Sequence, residues 1–296
     1  MSRWEIGPRI GAGVSGAVHR AWDRERNRPV ALKLVPVSSA AEAAQVVEAA
    51  RAFAEIDHPN VVRVVAIEAD TVAAGAAREA REVRVAMELV EGVDFVASLR
   101  PPRPAEEAQY RPSLLIVLGA RVQEGGESAF SPLTAPETAQ LRGLFEQLAN
   151  GVAAIHRAGL VHGDLQPANV LVEHGRVVIV DFGLAAPIDA VREGLVGAPE
   201  YMAPEQGGAP AIPASDVYAM GVLLFEALTG APPFDGSAQE VMVRKQTIGA
   251  PCPSLLVPVR DDLLDTLCVE MLRRAPELRP TAEAIAERLA FRPSQV

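Results

Sequence analysis

From the N-terminus the chain alternates short apolar stretches with polar turns, and then its period lengthens. Residues 4–35 set Ile10, Val18, Ala21-Trp22 and Val30-Ala31-Leu32-Lys33-Leu34-Val35 between turn-forming segments, among them Gly11-Ala12-Gly13-Val14-Ser15-Gly16. Short runs bounded by glycine and polar clusters predict strands, here an antiparallel three-stranded meander whose first turn is rich in glycine. Residues 39–56 are dominated by alanine and glutamate, which predicts a helix by propensity, ending before Asp57-His58-Pro59-Asn60. Residues 61–67 and 83–89 read as two more strands, so the first third of the chain is a five-stranded sheet carrying one helix. Beyond residue 137 the period becomes helical: Leu141, Leu144, Phe145, Leu148, Val152 and Ile155 share one face over 137–158. Two apolar runs at 170–172 and 177–180 then flank Glu173-His174-Gly175-Arg176, the pattern of a β-hairpin.

That hairpin organises the chemistry. Asp164, Asn169 and Asp181 lie within eighteen positions, each beside a strand end. Three oxygen-bearing side chains so placed suit a hard cation that also carries phosphate oxygens, as magnesium is bound. The glycine-rich turn fits the same ligand, because glycine lets the backbone approach phosphates and offer them N–H groups. The G-x-G-x-x-G spacing alone also occurs in dinucleotide-binding folds, but there a helix follows at once, whereas here another strand does.

His162-Gly163-Asp164-Leu165-Gln166-Pro167-Ala168-Asn169, followed by Asp181-Phe182-Gly183, resembles the catalytic loop and metal-binding turn of protein kinases, bacterial Ser/Thr type. The resemblance extends over about residues 4–290, through Ala203-Pro204-Glu205, through Ser215-Asp216, and to Arg279, whose equivalent pairs with the glutamate corresponding to Glu205. It implies an α+β, bilobal kinase-like fold: an antiparallel-sheet N-lobe with one helix over residues 1–90 and a larger, mainly helical C-lobe over 91–296. It implies ATP and Mg as cofactors, with Asp164, Lys33, Gln166 and Asn169 at the catalytic positions and Asn169 and Asp181 on the metal. The nucleotide pocket would comprise Ile10, Gly11, Gly13, Gly16, Val18, Ala31, Lys33, Met87, Glu88, Val90 and Leu171, with the backbone of 88–90 as the adenine-binding hinge.

Composition sharpens one of these positions. Of 28 basic residues only Lys33 and Lys245 are lysine. If any cation served, a lysine at a given basic position would arise about one time in fourteen, so Lys33 looks chosen for its compact ammonium.

Four departures bear on activity. The helix glutamate that pairs with the strand lysine in kinases falls on Ala49, with Glu48 one residue away and roughly 100° around the helix. Gly163 replaces the arginine that receives a loop phosphate, Gln166 replaces the lysine beside the transferring phosphoryl group, and Ala198 replaces the threonine before Pro199-Glu200-Tyr201. Residues 182–204 contain no hydroxyl except that of Tyr201, which implies constitutive or partner-controlled behaviour. Two readings of different class remain open: a slow Ser/Thr protein kinase, or a nucleotide-binding pseudokinase acting as a scaffold. Small-molecule phosphotransfer is a third, opposed by the Ala203-Pro204-Glu205 motif.

The remaining features bound partners and compartment. Residues 99–136, with Pro101-Pro102-Arg103-Pro104 and Leu114-Leu115-Ile116-Val117-Leu118, read as an insertion, either a docking element for a protein substrate or partner or a tolerated loop. A net charge of −10 argues against nucleic acid or an anionic membrane as partner. Cys252 and Cys268 are the only cysteines, too few for a disulfide framework. No apolar leader opens the chain and the run at 217–228 is too short for a bilayer, so a cytoplasmic protein is expected.

Overall fold

The computed structural model describes residues 2–13, 16–69, 81–100, 132–181, 186–187 and 198–291. Five strands build the smaller lobe: β1 Trp4–Gly13, β2 Gly16–Asp23, β3 Arg28–Val37, β4 Val64–Ala69 and β5 Arg81–Met87. All neighbours are antiparallel, in the order β1-β2-β3-β5-β4. The meander is therefore as expected, while β4 begins three residues later than the apolar run. Val61 and Val62 are buried for another reason: Val62 N–H donates to Ile179 O at 2.9 Å, tying this stretch to the second lobe.

Register decides which residues face that lobe. Val18 pairs with Lys33, Lys33 with Val85, and Ala31 with Met87, so these five share one face of the sheet. Ala31, Val85 and Met87 join the main core, with Val18 packed against it, whereas Trp4, Ala21, Val30, Leu32 and Ala86 form a separate small cluster on the other face. Helix α1, Ala40–Ala54, is capped by the Ser39 hydroxyl accepting from Glu42 N–H, and buries Ala50 and Phe53.

In the larger lobe α2, Ala135–Arg157, opens with a reciprocal capping box between Thr134 and Glu137 and buries all six residues of the predicted stripe. After it come β7, Leu160–Val161, and the hairpin of β8, Val170–Glu173, and β9, Arg176–Ile179; β6, Val93–Asp94, pairs with β8, and β10, Ala186–Pro187, with β7. Helix α3, Pro213–Thr229, is buried from Ser215 onward, which accounts for its long apolar run. Helices α4, Ala238–Thr247, α5, Asp262–Met271, and α6, Ala282–Ala290, complete the lobe. Among the described residues no helix is long and apolar enough to cross a membrane.

Both ends of the span expected as an insertion, 99–136, are tied into the larger lobe. Leu99 is buried, Arg100 donates to the carbonyls of Ala227 and Leu228 at 2.6 Å, and residues 135 and 136 belong to α2. Residues 101–131, where a docking element was expected, lie outside the described residues.

Candidate active site

The loop after β7 is suspended from one buried carboxylate. Asp216, on α3, accepts from His162 N–H and Gly163 N–H at 2.8 Å each and from His156 Nε2 at 2.9 Å. Burial alone would push this carboxyl up; the His156 bond, the nearby imidazoles and the amides outweigh it and hold the pKa below the ordinary value. Gly163 has φ +75°, a conformation that an arginine adopts only under strain. Thus the residue that removes a phosphate receptor also relaxes the loop. His162 is buried; with Nδ1 accepting from Asp164 N–H at 3.3 Å, its Nε2 carries the proton donated to Val180 O at 3.1 Å.

Around Asp164 the loop closes on itself. Asn169 Nδ2 donates to the Asp164 carbonyl at 2.8 Å and to its Oδ2 at 3.0 Å, while Gln166 Nε2 donates to Oδ1 at 3.1 Å. Burial raises the Asp164 pKa; the Asp181 charge adds to this and His162, Gln166 and Asn169 oppose it. Asn169 N–H and O are committed to Gln166 O and Val180 N–H, which sets the loop against the strand leading to Asp181. Asp181 has φ +57°, a strained value for a non-glycine residue, and its carboxylate is ion-paired with the ammonium of Lys33. Phe182 and Gly183, the rest of that motif, lie outside the described residues.

The donors that a magnesium ion would need are compatible with this arrangement. Asn169 spends its amide nitrogen on Asp164, which leaves its side-chain oxygen as ligand atom, and Asp181 supplies a carboxylate next to a buried cation. The nucleotide-pocket expectations divide by lobe. Gly11, Gly13 and Gly16 stand at the β1–β2 turn, where Gly13 pairs with Gly16. Gly16, at φ +131°, admits no side chain: a Cβ would meet Leu34 O at 2.1 Å. Val18, Ala31, Lys33 and Met87 share the inward sheet face, Ile10 is exposed on β1, and Leu171 is half-buried on β8. At the hinge, Glu88 N–H is committed to Arg63 O and the Glu88 carboxylate to Arg176, so what Glu88 can offer a base is its carbonyl, beside Val90.

Helix α1 runs without interruption, so Glu48 is not re-registered. It is exposed and Ala49 is half-buried, the buried residues of the helix being Ala50 and Phe53. Lys33 is held by Asp181 instead. Sequence reasoning also missed Asn60, which is buried and bridges the lobes: its Nδ2 donates to Val177 O at 2.8 Å and to Gln147 Oε1 at 3.1 Å, and its carbonyl accepts from Ile179 N–H at 2.8 Å. The His-Pro-Asn turn was the available signal.

Beside Asp164 lies a cavity of about 10 Å³, with room for one water, lined by Gly163, Asp164, Ala198, Tyr201 and Met202 and closed from below by the buried Ser215 and Asp216. Tyr201 donates its hydroxyl to Glu226, and burial, with that carboxylate beside it, raises its pKa far above the ordinary phenol. Arg279, fully buried in its side chain, pairs bidentately with Glu205 at 2.7 and 2.8 Å, and Ser215 adds a bond to the same carboxylate at 2.8 Å.

A five-stranded antiparallel sheet with one helix, followed by a helical lobe whose buried aspartate carries the loop, is the protein kinase architecture. The family described as "Protein kinase domain" matches residues 4–290, and the chain belongs to it. It is similar to serine/threonine-protein kinase PkaA of Streptomyces coelicolor, 31% identical over 97% of this chain and 49% of that protein. It is also similar to a probable serine/threonine-protein kinase, PknB of Bifidobacterium longum, at 28% over 92% of this chain and 37% of that one. With serine/threonine-protein kinase PknA of Mycobacterium tuberculosis it shares 39% over 51% of this chain and 38% of that protein. The chain thus spans half or less of the length of these relatives.

Proposed function

We propose that this chain binds ATP with magnesium and transfers the γ-phosphoryl group to Ser or Thr hydroxyls of a protein, slowly. The observation that carries this reading is the joining of Asp164 to Asn169 and of Asp181 to Lys33 at one cleft between the lobes. Bound Mg-ATP would supply the phosphoryl group and the charge that activates it. Asn169 and Asp181 would hold the metal, and Lys33, released in part from Asp181, would hold phosphate oxygens.

Asp164 would orient the acceptor hydroxyl and take its proton as the oxygen bonds to phosphorus and the bond to ADP breaks. Gln166 keeps Asp164 in place but brings no positive charge, so the step loses stabilisation specific to its transition state. Regulation by loop phosphate does not fit: Gly163 offers no cation, and Tyr201 is committed to Glu226, whose charge would repel a phosphate.

The test is transfer of labelled phosphate from Mg-ATP to Ser- and Thr-centred peptides by the wild type and by Asp164→Asn. Removing the base should lower kcat by roughly 10²–10⁴-fold while leaving nucleotide affinity within a few-fold. Equal rates in the two proteins would refute the proposal and leave a nucleotide-binding scaffold.

A further inference from the structure

Both lysines of this arginine-dominated chain are buried, Lys33 to 2% exposure and Lys245 to 1%. The cleft accounts for Lys33. Lys245 lies in the last turn of α4, far along the chain from the catalytic loop, and its ammonium donates to three backbone carbonyls: Pro199 O at 2.8 Å, Glu200 O at 2.6 Å and Met202 O at 2.7 Å. Three donors meet three acceptors, so a buried cation is fully hydrogen-bonded. A planar guanidinium could not converge on these three oxygens in the same way, which explains why a chain that otherwise uses arginine has lysine here.

The surroundings add support. The Tyr218 ring lies 5.2 Å from the Lys245 ammonium and 4.9 Å from the Arg279 guanidinium, a cation–π arrangement involving both cations. Burial lowers the Lys245 pKa to about 7, and the charges of Glu200 and Glu205 act against that shift.

What Lys245 holds is the wall opposite Asp164. Ala198, Tyr201 and Met202 line the cavity on that aspartate, whereas Lys33 and Asp181 do not. A hydroxyl-bearing chain must reach Asp164 from a side that the nucleotide does not use, and residues 198–202 lie beside Asp164 without taking part in the Lys33–Asp181 pair. We infer that Lys245 is a positioning residue for the protein acceptor: by fixing the carbonyls of 199, 200 and 202 it sets acceptor affinity without touching the nucleotide site. The inference rests on the kinase reading proposed above.

Two variants of the full chain test it. Lys245→Met keeps the apolar stem and removes every donor, while Lys245→Gln keeps an amide with two N–H bonds. Each is compared with wild type by hydrogen–deuterium exchange and by steady-state transfer from Mg-ATP to pooled Ser- and Thr-centred peptides. In Lys245→Met, exchange at residues 200–203 should rise by about tenfold or more, and peptide KM by roughly five- to tenfold, with the ATP KM within about twofold. Lys245→Gln should recover part of both changes. Unchanged exchange, equal rises in the two KM values, or identical behaviour of the two variants would overturn the inference. If Lys245→Met does not fold, the same split between peptide and ATP KM is read from Lys245→Gln alone. Wild type that shows no transfer while exchange still responds to the variants would sink the kinase reading, and the acceptor role with it, leaving Lys245 as a structural tie.

Discussion

The two walls of the cleft differ in what they keep. On the wall proposed for the nucleotide, Gly11, Gly13 and Gly16 at the turn, Lys33 on the sheet, and Asn169 and Asp181 below it keep the residue types of the family, and the α1 glutamate replaced by Ala49 is the exception. On the acceptor wall Gly163, Gln166 and Ala198 replace a cation, a cation and a hydroxyl, yet this wall is heavily anchored. Lys245 ties down three of its carbonyls, Tyr201 is bonded to Glu226, and Glu205 is clamped by Arg279 and Ser215. Leaving any of these buried groups without its partner would cost stability. In the kinase reading proposed above, the difference separates framework from chemistry: the acceptor wall is anchored, and Gln166 brings it no positive charge.

The largest expected effect comes from restoring that charge. Gln166→Lys places an ammonium beside Asp164, where one preorganised donor is worth on the order of 10²–10³-fold in kcat, so a substantial part of that range should return at nearly constant ATP affinity. Ala198 lines the cavity at Asp164, and the added hydroxyl of Ala198→Thr is comparable in size to the water that cavity admits. The double variant should exceed the product of the single rate gains, because the two side chains would share one network with Asp164. Single-turnover rates for the four proteins decide it, and strict multiplicativity would show that the two positions act independently.

A smaller effect probes the intact wall. A ligand that binds only the folded chain stabilises it by about 2.7 kcal/mol at a hundredfold excess over its Kd, a rise in Tm of roughly 4–5 °C for a chain of this size. Mg-ATP should produce such a rise in wild type, and Asp181→Ala should abolish its dependence on magnesium. No shift at millimolar Mg-ATP would mean that the nucleotide wall is as altered in function as the acceptor wall is in sequence.

The smallest effect is in pH. Burial lifts the Asp164 pKa above its ordinary 3.8, so the fraction of ionised base, and with it kcat, should fall as pH drops through this raised value rather than near 3.8. In Gln166→Lys the added positive charge favours the carboxylate, so the acid limb of the profile should move to lower pH. A limb that stays in place in the variant would assign it to another group.

Much of this arrangement is legible in the chain because it depends on local period. The six apolar residues of α2 are all buried, the meander and the hairpin form where alternation and turns place them, and Lys33 stands out through the scarcity of lysine. The same scarcity marks Lys245, but no local pattern says that its ammonium meets carbonyls more than forty positions earlier. Val61 and Val62 mislead for a related reason: they are apolar because Asn60 and Ile179 join the lobes there, a contact between segments far apart in sequence.

Sequence by itself thus determined the family, the order of elements and the residue types available to the cleft, since side-chain period and motif spacing are properties of neighbouring positions. Which partner each charge takes was decided only by tertiary structure. Glu48 and Ala49 are adjacent in the chain, the placement of α1 leaves Glu48 exposed and Ala49 half-buried, and Lys33 pairs with Asp181. Asp216 serves three donors and Lys245 three acceptors because packing of α3 and α4 brings them to those groups and excludes the water that would otherwise satisfy both.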